Sequence, residues 1–155
     1  MRASRRPDPA PILEATVRAA VETAAGIAGD LPLFAGGKSM GGRMTSRAAA
    51  REPLAGVQGL VFFGFPLHPA GKPGTERADH LADVAVPMLF LQGSRDPLAR
   101  LDLLRPVLGR LGSRATLHVV ADADHSFHVP VRSGRDDAAV RDELAATAVT
   151  WIEGR

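Results

Sequence analysis

Four short apolar runs, Leu31 to Ala35, Val57 to Phe63, Pro87 to Leu91 and Ala115 to Val120, recur along this chain at an interval of about 28 residues. Continuous apolar runs of this length read as strands buried on both faces, because a half-exposed strand would alternate polar and apolar side chains. The intervals between them carry helical patterns. Asp8, Pro9 and Pro11 mark a helix start, after which Leu13, Val17, Ala20, Val21, Ala24 and Ile27 fall on one face until Gly29-Asp30 stops it, so residues 9–28 are expected to form an amphipathic helix. Met40 to Arg51, Thr75 to Asp83, Pro97 to Leu111 and Asp136 to Glu153 are the other helical segments. Strand and helix alternating at this pitch imply an α/β fold: a parallel sheet of about four strands with right-handed crossovers and helices on both faces. A length of 155 residues corresponds to one domain.

Composition removes several kinds of chemistry. The chain has no Cys, which excludes disulfide scaffolds, thiol nucleophiles, Cys-ligated zinc and iron–sulfur clusters. Any nucleophile must be an oxygen or a nitrogen. Lys and Arg number 19 against 17 Asp and Glu, and all the cations but Lys38 and Lys72 are Arg. The basic character therefore reports Arg that does not titrate rather than a phosphate-binding surface, and no nucleic-acid partner is expected. The longest apolar run, Val84 to Leu91, is interrupted by Pro87 and is too short for a membrane span. The basic start, Met1 to Arg6, leads into prolines rather than an apolar stretch, so a cytoplasmic protein without a leader is expected.

In an open parallel sheet, ligands bind beyond the carboxyl ends of the strands. Four loops are thereby singled out: Gly36 to Gly42, Gly64 to His68, Gln92 to Asp96 and Ala121 to His125. Gly37-Lys38-Ser39-Met40-Gly41 fits G-x-S-x-G, in which small flanking residues let a strand turn sharply into a helix and expose the hydroxyl. A hydroxyl needs a base within hydrogen-bond reach and a third group to orient that base. His125 and Asp96 stand on two of the other loops of the same edge.

Each of these residues has a structural reading as well. Ser39 is a favoured helix N-cap, and Asp96 before Pro97 is a natural cap for the segment that follows. His125 competes with His128 and His68, whereas His118 lies within a strand and His80 on a helix, off this edge. Asp124, His125 and His128 lack further ligands at a recognisable spacing, so no metal is expected. Gly37-Lys38-Ser39 also matches the tail of a phosphate-binding P-loop, but the position of its first Gly holds Pro32. No cofactor is expected.

The motifs Gly36-Gly37-Lys38-Ser39-Met40-Gly41-Gly42-Arg43, Gly64-Phe65-Pro66-Leu67-His68-Pro69, Leu91-Gln92-Gly93-Ser94-Arg95-Asp96 and Asp124-His125-Ser126-Phe127 resemble the α/β-hydrolase superfamily. Within it they are most similar to the small dienelactone-hydrolase-like group, which includes the hydrolase-like subunit of a chromatin acetyltransferase complex. The resemblance runs from about Pro9 to the carboxyl terminus and implies Ser39 as nucleophile, Asp96 as the acidic member and His125 as base. Dienelactone hydrolase itself uses Cys, so its particular substrate is not implied. Members normally carry several further strands before the nucleophile strand, and one of their loops supplies half of the oxyanion hole. Here a single helix precedes Ser39, so the chain is expected to be the carboxyl-terminal part of a longer hydrolase, with Leu31 to Ala35 at an exposed sheet edge.

The expected function is a serine-dependent hydrolase acting on a small ester or related acyl substrate. The Met40 N–H would hold the oxyanion, and Lys38, Arg43 and His68 would shape the substrate site. Activity is expected to be weak for want of a second oxyanion donor. The alternative is a non-catalytic α/β-hydrolase-like binding module. Either way the uncovered edge offers a route to homo-oligomers.

Overall fold

Each of the four apolar runs forms a strand in the computed structural model, which describes residues 7–155. The basic start on which the expectation of no leader rests lies outside the described residues. The strands are β1 (Leu33–Lys38), β2 (Val57–Phe63), β3 (Met88–Gly93) and β4 (Ala115–Val120), all parallel and adjacent in the order β1-β2-β3-β4. They alternate with helices α1 (Ala10–Ala28), α2 (Met40–Arg51), α3 (Leu101–Leu111) and α4 (Asp137–Glu153). This is the expected α/β architecture, with every carboxyl strand end on one edge.

Alternation within the strands divides the core into two layers. Leu60, Phe62, Met88 and Phe90 face Ala48 of α2 and Leu104 and Leu108 of α3. The rings of Phe62 and Phe90 lie 4.8 Å apart, and Phe65 packs edge-on to Phe90 at 5.7 Å. On the opposite face Val61, Leu89 and Leu91 meet Val140, Leu144 and Trp151 of α4. Each such side chain contributes about 1.5–3 kcal/mol of transfer free energy when fully buried. All six residues of β3 are buried, as its unbroken apolar pattern requires of a central strand. Gly59 makes room for Trp151, since a Cβ there would lie 2.8 Å from its ring.

The structure departs from the sequence reading at several elements, and β3 runs on through Gln92 to Gly93, which the sequence places in a loop. β1 starts at Leu33 and runs through Gly36 and Gly37 to Lys38, where the glycines read as loop. A ladder needs only backbone groups, and the glycines are in fact required: a Cβ on Gly36 would fall 1.9 Å from the Val61 carbonyl oxygen. The Thr75 to Asp83 helix is a 3₁₀ segment over Glu76–Asp83. α3 begins at Leu101 rather than Pro97, because Asp96 Oδ1 accepts the Leu98 N–H at 2.8 Å and holds residues 96–99 in a turn. In α1 the apolar stripe is only partly covered. Val17 and Val21 pack on the core and the buried Glu14 pairs with Arg47 and Arg51 of α2, both at 2.9 Å, but Ala20 is exposed and Ile27 is 82% exposed. The helix lies along α2 beside an edge strand, so part of its stripe faces an open cleft lined also by Leu33, Phe34 and Ala35. Among the described residues no helix is long and apolar enough to cross a membrane.

Candidate active site

Ser39 sits between β1 and α2 with φ 51° and ψ −120°, a backbone conformation that costs an L-residue on the order of 1–3 kcal/mol. The surroundings enforce it. The Ser39 N–H donates to the Phe63 carbonyl at 3.0 Å, at the end of β2, and the Ser39 carbonyl accepts from the Arg43 N–H at 3.1 Å. The turn is so tight that a Cβ on Gly42 would approach the Gly37 oxygen to 2.6 Å, and one on Gly37 would approach the Gly42 nitrogen to 2.9 Å. Gly41, the second glycine of G-x-S-x-G, has open space where a Cβ would go; the steric demand falls one residue later. The Ser39 side chain makes no capping bond to α2 and is free for other use.

Its Oγ lies 2.8 Å from His125 Nε2, and His125 Nδ1 lies 2.7 Å from Asp96 Oδ2. A carboxylate can only accept, so Nδ1 carries the hydrogen and Nε2 is left as the acceptor for the Ser39 hydroxyl. Three side chains far apart in sequence thus form one line of hydrogen bonds across the sheet edge. The Asp96 side chain has no exposed surface, whereas that of His125 is 19% exposed, so the imidazole is the wetter end of this line. Asp96 also holds the Leu98 N–H, and its capping and orienting roles coexist.

The loop bearing His125 is tied down by its own residues. Asp124 Oδ1 accepts from the N–H groups of Ser126 and His128 at 2.8 and 3.0 Å, and the Asp124 N–H donates to the His128 carbonyl. Gly93 lets this loop rest on the end of β3, since a Cβ there would lie 2.4 Å from the Ala123 oxygen. Gly64, at φ 71°, lies against the His125 ring.

Gln92 was not among the site residues expected from the sequence. Fully buried at the end of β3, it donates through Nε2 to Asp96 Oδ2 at 2.5 Å and accepts the Phe65 N–H on Oε1 at 3.0 Å. The available signal was a lone amide closing an otherwise apolar run. Two neutral donors, Gln92 and the Leu98 N–H, thus hold Asp96 beside His125.

The expected substrate-shaping residues separate. Met40 opens α2 at the side of Ser39, where its N–H has no intrahelical acceptor. Met40 and Arg43 line one cavity with Ser39. Lys38 is exposed at the end of β1 and is not part of that cavity lining. The expectation for His68 is corrected: it is 2% exposed, with Nδ1 donating to the Pro69 carbonyl at 2.9 Å and Nε2 accepting the Arg100 N–H at 3.1 Å. It fastens the Pro66 to Lys72 loop to the start of α3 and has no ring nitrogen left for a substrate. His128 is exposed and paired with Asp137 at 2.9 Å. The N–H groups of Gly64 and Phe65, on the loop after β2, are spent on the Leu91 carbonyl and on Gln92.

A parallel sheet whose edge gathers Ser, Asp and His in that chain order defines the class of α/β hydrolases. The chain belongs to the α/β hydrolase domain family, which matches residues 1–153. Among solved structures it is similar to an α/β serine hydrolase homologue from Coxiella burnetii, at 18% identity over 95% of this chain with a TM-score of 0.70. A Klebsiella pneumoniae protein provisionally named a dienelactone hydrolase aligns at 23% identity over 95% of this chain with a TM-score of 0.67. A cold-adapted esterase from an Arctic intertidal metagenomic library aligns at 24% identity over 76% of this chain with a TM-score of 0.55. The alignments span 64%, 62% and 51% of those proteins' own lengths.

Proposed function

We propose that the chain is a serine-dependent hydrolase of esters or related acyl compounds. The observation that carries this reading is the unbroken Ser39–His125–Asp96 line of hydrogen bonds at 2.8 and 2.7 Å. Ser39 Oγ attacks the carbonyl carbon while its proton passes to His125 Nε2. Asp96 keeps the Nδ1–H in place and stabilises the imidazolium. The Met40 N–H holds the developing oxyanion. Collapse of the tetrahedral intermediate expels the alcohol, which takes the proton from His125 and leaves an acyl-Ser39; water, deprotonated by His125, then releases the acid. With one assigned oxyanion donor instead of two, turnover is expected to be lower by about 10²–10³-fold than with a complete pair.

The test is labelling by a fluorophosphonate together with hydrolysis of p-nitrophenyl acetate. Both are expected in the unaltered protein and absent in Ser39→Ala, with His125→Ala reduced by ~10³-fold or more. Equal background in all three would defeat the reading.

A second reading rests on β1, whose outer edge is unpaired among the described residues and whose Leu33 and Phe34 line the open cleft with Val17 and Val21 of α1. In it the protein acts through association, with a second copy adding to this edge, and Ser39 has no turnover to perform.

A further inference from the structure

The cavity beside Ser39, about 400 Å³ in volume, has two arginines in its wall, Arg43 and Arg77. Arg43 stands one helical turn after Ser39 on α2 and shares the cavity wall with it. The Arg43 Nε is buried and has no hydrogen-bond partner among the described residues. Among the described residues neither Arg43 nor Arg77 takes part in an ion pair, although Arg47, on the next turn of α2, is paired with Glu14. Burial, then the charges of Arg77 and Arg47, weaken the hold of Arg43 on its proton. Among the described residues Asp8 is the one carboxylate in the cavity wall, and it is exposed and paired with neither arginine. A part-buried cationic pair without a counter-charge is unfavourable by itself and becomes favourable when an anion with several acceptor oxygens enters, because guanidinium groups match carboxylate and phosphate geometry.

We propose that Arg43 and Arg77 form an oxyanion-recognising subsite, and that the substrate is an ester bearing a second, anionic group, a carboxylate or a phosphate, within about one helical turn of the reacting carbonyl. The proposal rests on the hydrolase reading for the reaction itself, but the anion subsite can be measured without turnover. The apolar part of the same wall, including Leu13, Met44 and Leu98, accommodates the carbon chain between the two ends.

Two measurements test it. Calorimetric titration of glutarate and of inorganic phosphate into Ser39→Ala reads the subsite directly; saturable binding of at least one is expected, and the tighter anion identifies the source. Adding Arg43→Gln or Arg77→Gln should weaken that binding tenfold or more, with Arg77→Lys recovering part of it. In the active protein, the ratio of kcat/KM for mono-p-nitrophenyl glutarate to that for p-nitrophenyl butyrate should fall tenfold or more in the same arginine variants. If neither anion binds, or if the arginine variants bind equally well and leave the ratio within twofold, the subsite does not exist. Arginine-dependent binding in a protein that hydrolyses neither ester would remove the hydrolase reading and leave the anion site standing.

Discussion

Gln92 shows how much of this site rests on a residue with no chemistry of its own. Its amide fills the space between the Phe65 N–H and Asp96, so Gln92→Leu would strand a buried donor and take from Asp96 Oδ2 one of its two donors, the other being His125. We expect that variant to lose about 1–3 kcal/mol in urea unfolding and to label more slowly with a fluorophosphonate, since Asp96 would no longer be held toward His125. A loss of stability with an unchanged labelling rate would restrict Gln92 to a packing role. The glycines of the turn make a second pair of expectations. Gly42→Ala should abolish labelling, because the clash at 2.6 Å is with backbone that cannot move aside. Gly41→Ala, in open space within a helix, should leave the fold intact and gain about 0.5–1 kcal/mol in thermal or urea unfolding. The residue identities at the nucleophile turn were legible in the sequence; the glycine that matters was displaced by one, because spacing in a motif says nothing about which Cβ meets which carbonyl.

Among the elements, the contact between α2 and the 3₁₀ segment Glu76–Asp83 carries a pH dependence. His80 Nε2 lies 2.7 Å from the buried Ser46 hydroxyl, which donates in turn to the Arg43 carbonyl at 2.8 Å, an arrangement that places a hydrogen on Nε2, which donates to Ser46. Burial, then the charges of Arg47 and Arg43, push the His80 pKa down from 6.5 to about 4 against the opposing pull of Asp79 and Glu14. The folded protein therefore refuses a proton that the unfolded chain accepts. Stability from this group is complete above pH 6.5 and is lost as the pH falls from there toward 4, by about 1–2 kcal/mol once screening of a part-buried site is allowed for. Exposed His128, whose pKa Asp137 raises, acts in the opposite sense. Urea unfolding at pH 7 and pH 4.5 should show a smaller difference for His80→Gln than for the unaltered protein. An identical difference would assign the acid sensitivity to other groups. Helices and strands were legible to within a few residues because period and caps are local properties, and α2, β2 and β4 occupy the ranges expected. The Thr75 to Asp83 segment and the start of α3 were not, because the first is tied to α2 by the His80–Ser46 bond and residues 98–100 are tied to His68, contacts between residues far apart in sequence.

For the whole molecule, the open side of β1 is the outstanding feature. If a second copy adds there, sedimentation equilibrium should show a concentration-dependent dimer that Ala20→Lys, a charge placed on the exposed wall of the cleft, suppresses. A monomer at all concentrations would leave this edge to another partner or to none. The sequence by itself determined the α/β class, the parallel sheet, the edge on which ligands gather and the chain order Ser39, Asp96, His125, since all of these follow from apolar periodicity and from which residues punctuate strand ends. Only the tertiary structure decided which histidine reaches Ser39, that His68 is a buried fastener, that Gln92 stands behind Asp96, and that Arg43 and Arg77 share a cavity. Hydrogen-bond reach is about 3 Å, far finer than the placement that strand and helix patterns allow, and it is settled only when the two layers of the core close on the sheet.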